Sequence, residues 1–195
     1  TQGFLKGGDS ASIPVLCVFD SEEVGSVSPQ GAGSSLLEDT LGRICDGLKL
    51  NRGRMLAQSF LVSADNAHAV HPNHPEYADP GNAPVMGGGL VIKYNANLSY
   101  CTDSVSAAVF RKICGRAGVK VQTYHNRADL PGGSTLGRIS LAHVSVPTVD
   151  IGLAQLAMHS CYETAAVSDA IDLETAMAAY YGSTLEATES GFSIL

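Results

Sequence analysis

Three short segments of the 195-residue sequence carry side chains able to do chemistry. The first is Asp20-Ser21-Glu22-Glu23-Val24-Gly25-Ser26, which directly follows an apolar run at 13–19. Adjacent carboxylates leaving a turn point in different directions, so one can bind a metal ion while the other takes a proton from water. Taken alone, such a pair is more often a solvated acidic turn. The second segment is Ser63-Ala64-Asp65-Asn66-Ala67-His68-Ala69-Val70-His71-Pro72-Asn73-His74. Three histidines at a spacing of three suggest zinc, but Pro72 and Pro75 disfavour the helix that would bring the three rings onto one face. Asp65, at the end of an apolar strand, is the better single ligand, with His68 near the substrate. The third segment, 150–160, holds His159 on an apolar background, where a lone histidine is more often a hydrogen-bonded core residue than a ligand. Convergence of strand-end carboxylates on it would reverse that preference.

Several signatures are missing, and their absence narrows the chemistry. The sequence has no His-Glu-x-x-His helix, no Gly-x-Ser-x-Gly elbow and no Gly-x-x-x-x-Gly-Lys phosphate loop. Gly132-Gly133-Ser134-Thr135 is expected to be a turn or an oxyanion-side contact, since a nucleotide site would need a second phosphate-binding element.

The elements that must position these residues follow from hydrophobic periodicity. The run IPVLCVF at 13–19 predicts a strand buried on both faces, and 60–64 predicts another that runs into Asp65. Open α/β sheets place their chemistry just past such strands. Further strands are expected at 90–94, 119–124 and 146–151. Helices are expected at 34–48, 103–117 (capped by Asp103 or Thr102), 135–143 and 168–181. The segment 66–89, rich in Pro, Gly, His and Asn, predicts one long ordered loop. This alternation predicts an α/β fold, with a mainly parallel central sheet flanked by helices, in one domain.

A net charge of −7 with no cluster of Lys and Arg excludes nucleic acid as a partner. Five cysteines without a Cys-x-x-Cys pair read as reduced thiols of a cytoplasmic protein. No apolar stretch approaches the ~18 residues of a membrane span, and residues 1–6 lack the pattern of a signal peptide. The first residue is Thr1, which points to processing or to a piece of something longer.

The segments FDSEEVGS, SADNAHAVHPNH, GGSTLG and LAQLAMHS, in that order, closely resemble the aspartyl aminopeptidase family of dizinc exopeptidases, over residues 15–181. The resemblance implies a zinc-exopeptidase-like three-layer sandwich, present in part. It implies Glu22 as the general base and Glu23, Asp65 and His159 as three zinc ligands, with His68 and Lys93 near the substrate. It further implies two Zn2+ ions, with Mn2+ or Co2+ as alternatives, peptide substrates with acidic (Asp or Glu) N-terminal residues, and a homo-oligomer. The family pattern also includes an earlier His-x-Asp segment and a bridging Asp, and neither occurs before Glu22. Residues 1–195 are therefore expected to be the C-terminal portion of a catalytic domain, with the N-terminal part and an inserted domain absent. Two alternatives follow: a non-catalytic fragment or assembly subunit, and a related dizinc amidohydrolase.

Overall fold

The computed structural model describes residues 1–195. Its centre is a four-stranded sheet of β1 (Leu61–Ala64), β3 (Leu90–Tyr94), β4 (Val121–His125) and β5 (Thr148–Gly152), in the order β1-β5-β3-β4. The β1–β5 and β3–β4 pairs are parallel, and β3 joins β5 antiparallel. The sheet is thus mainly parallel, with one reversal at its middle.

The central strands are continuous apolar runs because both of their faces are covered. Side chains alternate between the two faces of a strand. Leu90, Ile92, Val149 and Ile151 pack on α4 (Ser104–Arg116) through Ala107, Phe110, Ile113 and Cys114, and on α6 (Val167–Tyr181) through Ala176. The opposite face carries Val91, Tyr124 and Ala154, and also a buried polar row: Ser63, Asp150 and Lys93, each at most 1% exposed. Register places the three on neighbouring strands, Ser63 opposite Asp150 and Lys93 one residue beyond the Ile92–Ile151 pair.

Helices form at the expected places. α2 (Leu36–Leu48), α4, α5 (Leu136–Leu141) and α6 each begin within two residues of the predicted start. Asp103 caps α4: it accepts from Ser106 N at 2.7 Å, while Ser106 Oγ accepts from Asp103 N at 3.0 Å. Thr102 does a different job, its hydroxyl accepting from Asp150 N at 2.8 Å. Periodicity did not reveal the short helices α1 (Gln2–Lys6) and α3 (Arg52–Ala57), nor the strands β2 (Ala67–His68), β6 (Ala154–Leu156) and β7 (Thr164–Ala165), nor the hairpin of β8 (Leu185–Thr188) and β9 (Gly191–Ile194). All are too short for a period to show.

The predicted strand at 13–19 is not formed. The segment has no ladder hydrogen bonds, and Val18 is 77% exposed. It lies across an apolar cavity of about 440 Å³ lined by Leu37, Leu41, Leu56, Phe60 and Leu61. An apolar run signals a buried strand only where a neighbouring strand pairs with it, and β1, at the sheet edge, pairs only with β5. The segment 66–89 is likewise not one loop, since it contains β2 and a 3₁₀ turn at Pro75–Tyr77. Buried Asp169 of α6 anchors its far end by accepting from Gly87 N at 2.8 Å and Gly89 N at 3.2 Å.

Removing the α4 cap with Asp103→Ala is expected to destabilise the protein by about 1 kcal/mol. A shift of the urea midpoint at unchanged slope would show it, whereas an unmoved midpoint would mean that the cap contributes nothing.

Candidate metal centre

Glu22 and Glu23 open a 3₁₀ turn, Glu22–Val24, between Ser21 at φ 61° and Gly25 at φ 101°. Gly25 takes the left-handed conformation freely, whereas Ser21 is strained by it. Local hydrogen bonds hold the turn nonetheless. Ser26 N donates to Ser21 O at 2.8 Å, Gly25 N to Glu22 O at 3.0 Å, and Ser21 N to Asp20 Oδ1 at 2.7 Å. Strained backbone of this kind clusters at functional sites, because only a surrounding structure that over-determines it can maintain it.

Asp65, His68 and His159 come from two arms that leave the sheet side by side. β1 and β5 end together, and their ladder continues past the sheet: Asp65 N donates to Ile151 O at 3.0 Å, Ala67 N to Leu153 O at 2.8 Å and Ala69 N to Gln155 O at 2.8 Å. The arms pair again as parallel β2 and β6. Asn66 Nδ2 donates to Gln155 Oε1 across them. Close approach at the kink demands glycine, because a Cβ at position 152 would lie 1.9 Å from Asp65 O. β6 then turns back on β7, and the connecting loop at 157–163 presents His159. Two non-glycine residues of that loop have positive φ, Ala157 at 55° and His159 at 67°, and His159 N donates to Glu163 Oε1 at 2.6 Å.

These elements bring His159 and Glu23 together. His159 Nε2 lies 3.1 Å from Glu23 Oε2, with both side chains open to solvent at 65% and 69%. His159 is therefore not a core histidine. Beside the pair, burial raises the Glu22 carboxyl above its usual pKa, and the Asp65 and Glu23 carboxylates add to the effect. Partial screening from water lowers the His68 imidazole, and His159 and Lys93 add to that. No three His, Cys, Asp or Glu side chains converge at metal-binding spacing. The donor types nevertheless fit zinc: an imidazole and a carboxylate already meet at one point, with a further carboxylate, Asp65, close enough to act on Glu22. Two carboxylates that raise the pKa of a third are an anionic cluster that a divalent cation would relieve.

His71 and His74 pack on one another, with ring centroids 5.4 Å apart, and His74 stacks on Tyr77. Lys93 is buried. Its side chain is 1% exposed, with the ammonium 3.3 Å from Asp65 Oδ2. Sequence reasoning missed Asp150, which is fully buried and accepts from Cys101 N at 2.5 Å and Thr135 Oγ1 at 2.8 Å, so that it ties the GGST turn to the sheet. A charged residue inside the apolar strand TVDIG was the available signal, because an unpaired buried carboxylate is too costly to persist.

The family model described as Aminopeptidase I zinc metalloprotease (M18) matches residues 6–181. The chain belongs to the M18 family. Among M18 relatives, "Probable M18 family aminopeptidase 2" of Mycobacterium tuberculosis is 46% identical over 183 residues, covering 91% of this chain and 42% of the relative. A "Probable aspartyl aminopeptidase" of Ricinus communis is 45% identical over 165 residues, covering 83% and 33%. The chain thus spans less than half the length of the relatives it matches. Among solved structures, a complex of Ape4 and Nbr1 contains a chain that superposes with a TM-score of 0.81 at 39% identity, over 84% of this chain and 32% of that one. A chain of a Saccharomyces cerevisiae aminopeptidase 1 dodecamer superposes at 0.73 and 28% identity, over 84% and 36%.

Because the Asp65 kink depends on the absent side chain at 152, Gly152→Ala is expected to cost roughly 1–3 kcal/mol, the range for overpacking. It should also speed amide exchange at Ala67 and Ala69. A variant with parent stability and protection would show that the two backbones do not need this close approach.

Proposed function

We propose that this chain is the C-terminal portion of the catalytic domain of a zinc-dependent aminopeptidase that removes acidic N-terminal residues, Asp or Glu, from peptides. The observation that carries the proposal is the contact between His159 and Glu23, 3.1 Å apart although distant in sequence, with Glu22 next to it. Family membership supports zinc and an aminopeptidase reaction, and the aspartyl aminopeptidase among the relatives supports the acidic preference.

In this assignment Glu23, Asp65 and His159 hold zinc, in a centre of two ions that Mn2+ or Co2+ can also fill. The remaining ligands come from the N-terminal portion typical of the relatives. Zinc, when bound, supplies Lewis-acid activation of water and of the scissile carbonyl. Glu22 takes the proton of the attacking water and hands it to the leaving amine. Its raised pKa suits both halves of that task, since a base must hold the proton before returning it. His68, exposed on β2 alongside His159, faces the substrate side. The substrates are peptides, and the working form is a homo-oligomer, as in the yeast dodecamer. The cytoplasm is the proposed compartment, which suits five unpaired cysteines. No helix is long and apolar enough to cross a membrane.

Glu22→Gln is expected to lower turnover of Asp- and Glu-terminated peptides by roughly 10²–10⁴-fold while zinc content, measured by metal analysis, stays at the parent value. Near-normal turnover would refute the base assignment, and loss of zinc along with turnover would make Glu22 a ligand instead. Faster cleavage of Leu-terminated than of Asp-terminated peptides would overturn the acidic preference.

A further inference from the structure

The β8–β9 hairpin lies beyond residue 181, where the match to the M18 family model ends, yet it folds back onto the body of the protein. A two-stranded hairpin is stable only when it packs against something else. Here Leu185, Phe192 and Ile194 pack on the main core, and the Phe192 ring meets Phe60 edge-on with centroids 5.4 Å apart. Arg116, the last residue of α4, donates to Ile194 O at 2.9 Å.

The start of β8 and the residue pair before it face residues 10–12. Ser10 Oγ donates to Ser183 O at 2.9 Å, Ala11 N donates to Thr184 Oγ1 at 2.9 Å and Leu185 N donates to Ser12 Oγ at 3.3 Å. Residues 10–12 lead straight into 13–19, the segment without ladder hydrogen bonds, which delivers the Glu22–Glu23 turn. Within that segment Cys17 and Phe19 pack on Leu37, Val144 and Val146. Hydrophobic contact is non-directional, so this packing alone leaves the segment free to shift along its own length. Hydrogen bonds are directional and fix position. Those that hold the near end of the segment all come from the C-terminal part of the chain, including Tyr181 Oη, which donates to Val15 O at 3.4 Å.

We propose that the C-terminal hairpin is a positioning element: a clasp that fixes the register of 13–19 and so sets where the Glu22–Glu23 turn meets His159. The proposal rests on the function proposed above in so far as Glu23 is a metal ligand. Ligands held in place by a rigid supporting layer bind metal more tightly than ligands that must be ordered on binding.

The test is made in the full chain with Ser12→Ala and Thr184→Val together, which remove two acceptors and leave the apolar face of the hairpin in place. Hydrogen–deuterium exchange without metal is expected to quicken roughly fivefold or more at the amides of Asp20, Gly25 and Ser26, while α4 and β3 keep parent protection. Thr184→Ser, which retains the acceptor, is expected to exchange like the parent. Parent exchange at 20–26 in the double variant, or equal loosening in Thr184→Ser, overturns the clasp. Should the double variant not fold, Thr184→Val alone carries the test, and parent exchange at 20–26 overturns the proposal in the same way.

Zinc titration by calorimetry adds a readout that a purely structural role would not move. The double variant is expected to weaken zinc binding roughly fivefold or more, and to add nothing once Glu23→Gln is also present. Unchanged affinity, or losses that simply multiply, would show that the clasp does not act through Glu23 and would overturn it. If Glu23→Gln and His159→Ala both leave zinc binding at the parent value, the metal-centre assignment fails instead, and exchange at 20–26 alone decides the role of the hairpin.

Discussion

Two parallel strands that lie side by side end at the same edge of a sheet, so the chains that follow them leave from neighbouring points. In this protein β1 and β5 form that pair, and their hydrogen bonding does not stop at the edge. It runs on through Asp65, Ala67 and Ala69 into the second pairing of β2 with β6. Asp65, His68 and His159 are distant in sequence, but they ride on two arms held in register by backbone hydrogen bonds, which are indifferent to side-chain identity. The arms need close contact at one position only, where Gly152 passes under the Asp65 carbonyl.

Electrostatics then follows from that geometry. Glu22, Glu23 and Asp65 gather negative charge at one rim, where burial first and the Asp65 and Glu23 carboxylates next raise the Glu22 pKa. Beneath the rim lies the one buried ammonium, on Lys93, and burial pushes its pKa down while Asp65 and Asp150 support its charge. The arrangement is layered. The Lys93 ammonium donates to the Asp65-Asn66 segment from below, and the exposed imidazole and carboxylate of His159 and Glu23 face outward, where a divalent ion would complete the balance. Strain is concentrated in the same layer: Ser21, Ala157 and His159 all have positive φ, and each lies in a turn that presents a candidate ligand or base.

The sheet and its helices were legible in the sequence wherever a period had room to develop. The strand at 90–94 coincides with β3, and α4 and α6 follow their apolar stripes within a residue of the expected ends. Asp103 was readable as a cap because capping is a local contest between a carboxylate and the first free N–H groups. The segment 13–19 shows the limit of this approach. Its composition is that of a buried strand, yet strand formation requires a partner edge, and composition carries no information about partners. Lys93 shows a second limit: a lysine in an apolar strand marks a special position, but which acceptors surround its amine depends on what lies across the sheet.

By itself, the sequence determined which residue types could do chemistry and which local elements carry them, because propensity, capping and hydrophobic period act over a few residues. The EEVG turn, the exit at Asp65 and the lone His159 were all visible at that range. Only the tertiary structure decided that Glu23 and His159 touch, that Lys93 donates to Asp65, and that Asp150 ties the GGST turn to the sheet. Each of these contacts joins segments many residues apart, and the pairing and reversal of strands that create them are properties of the assembled sheet.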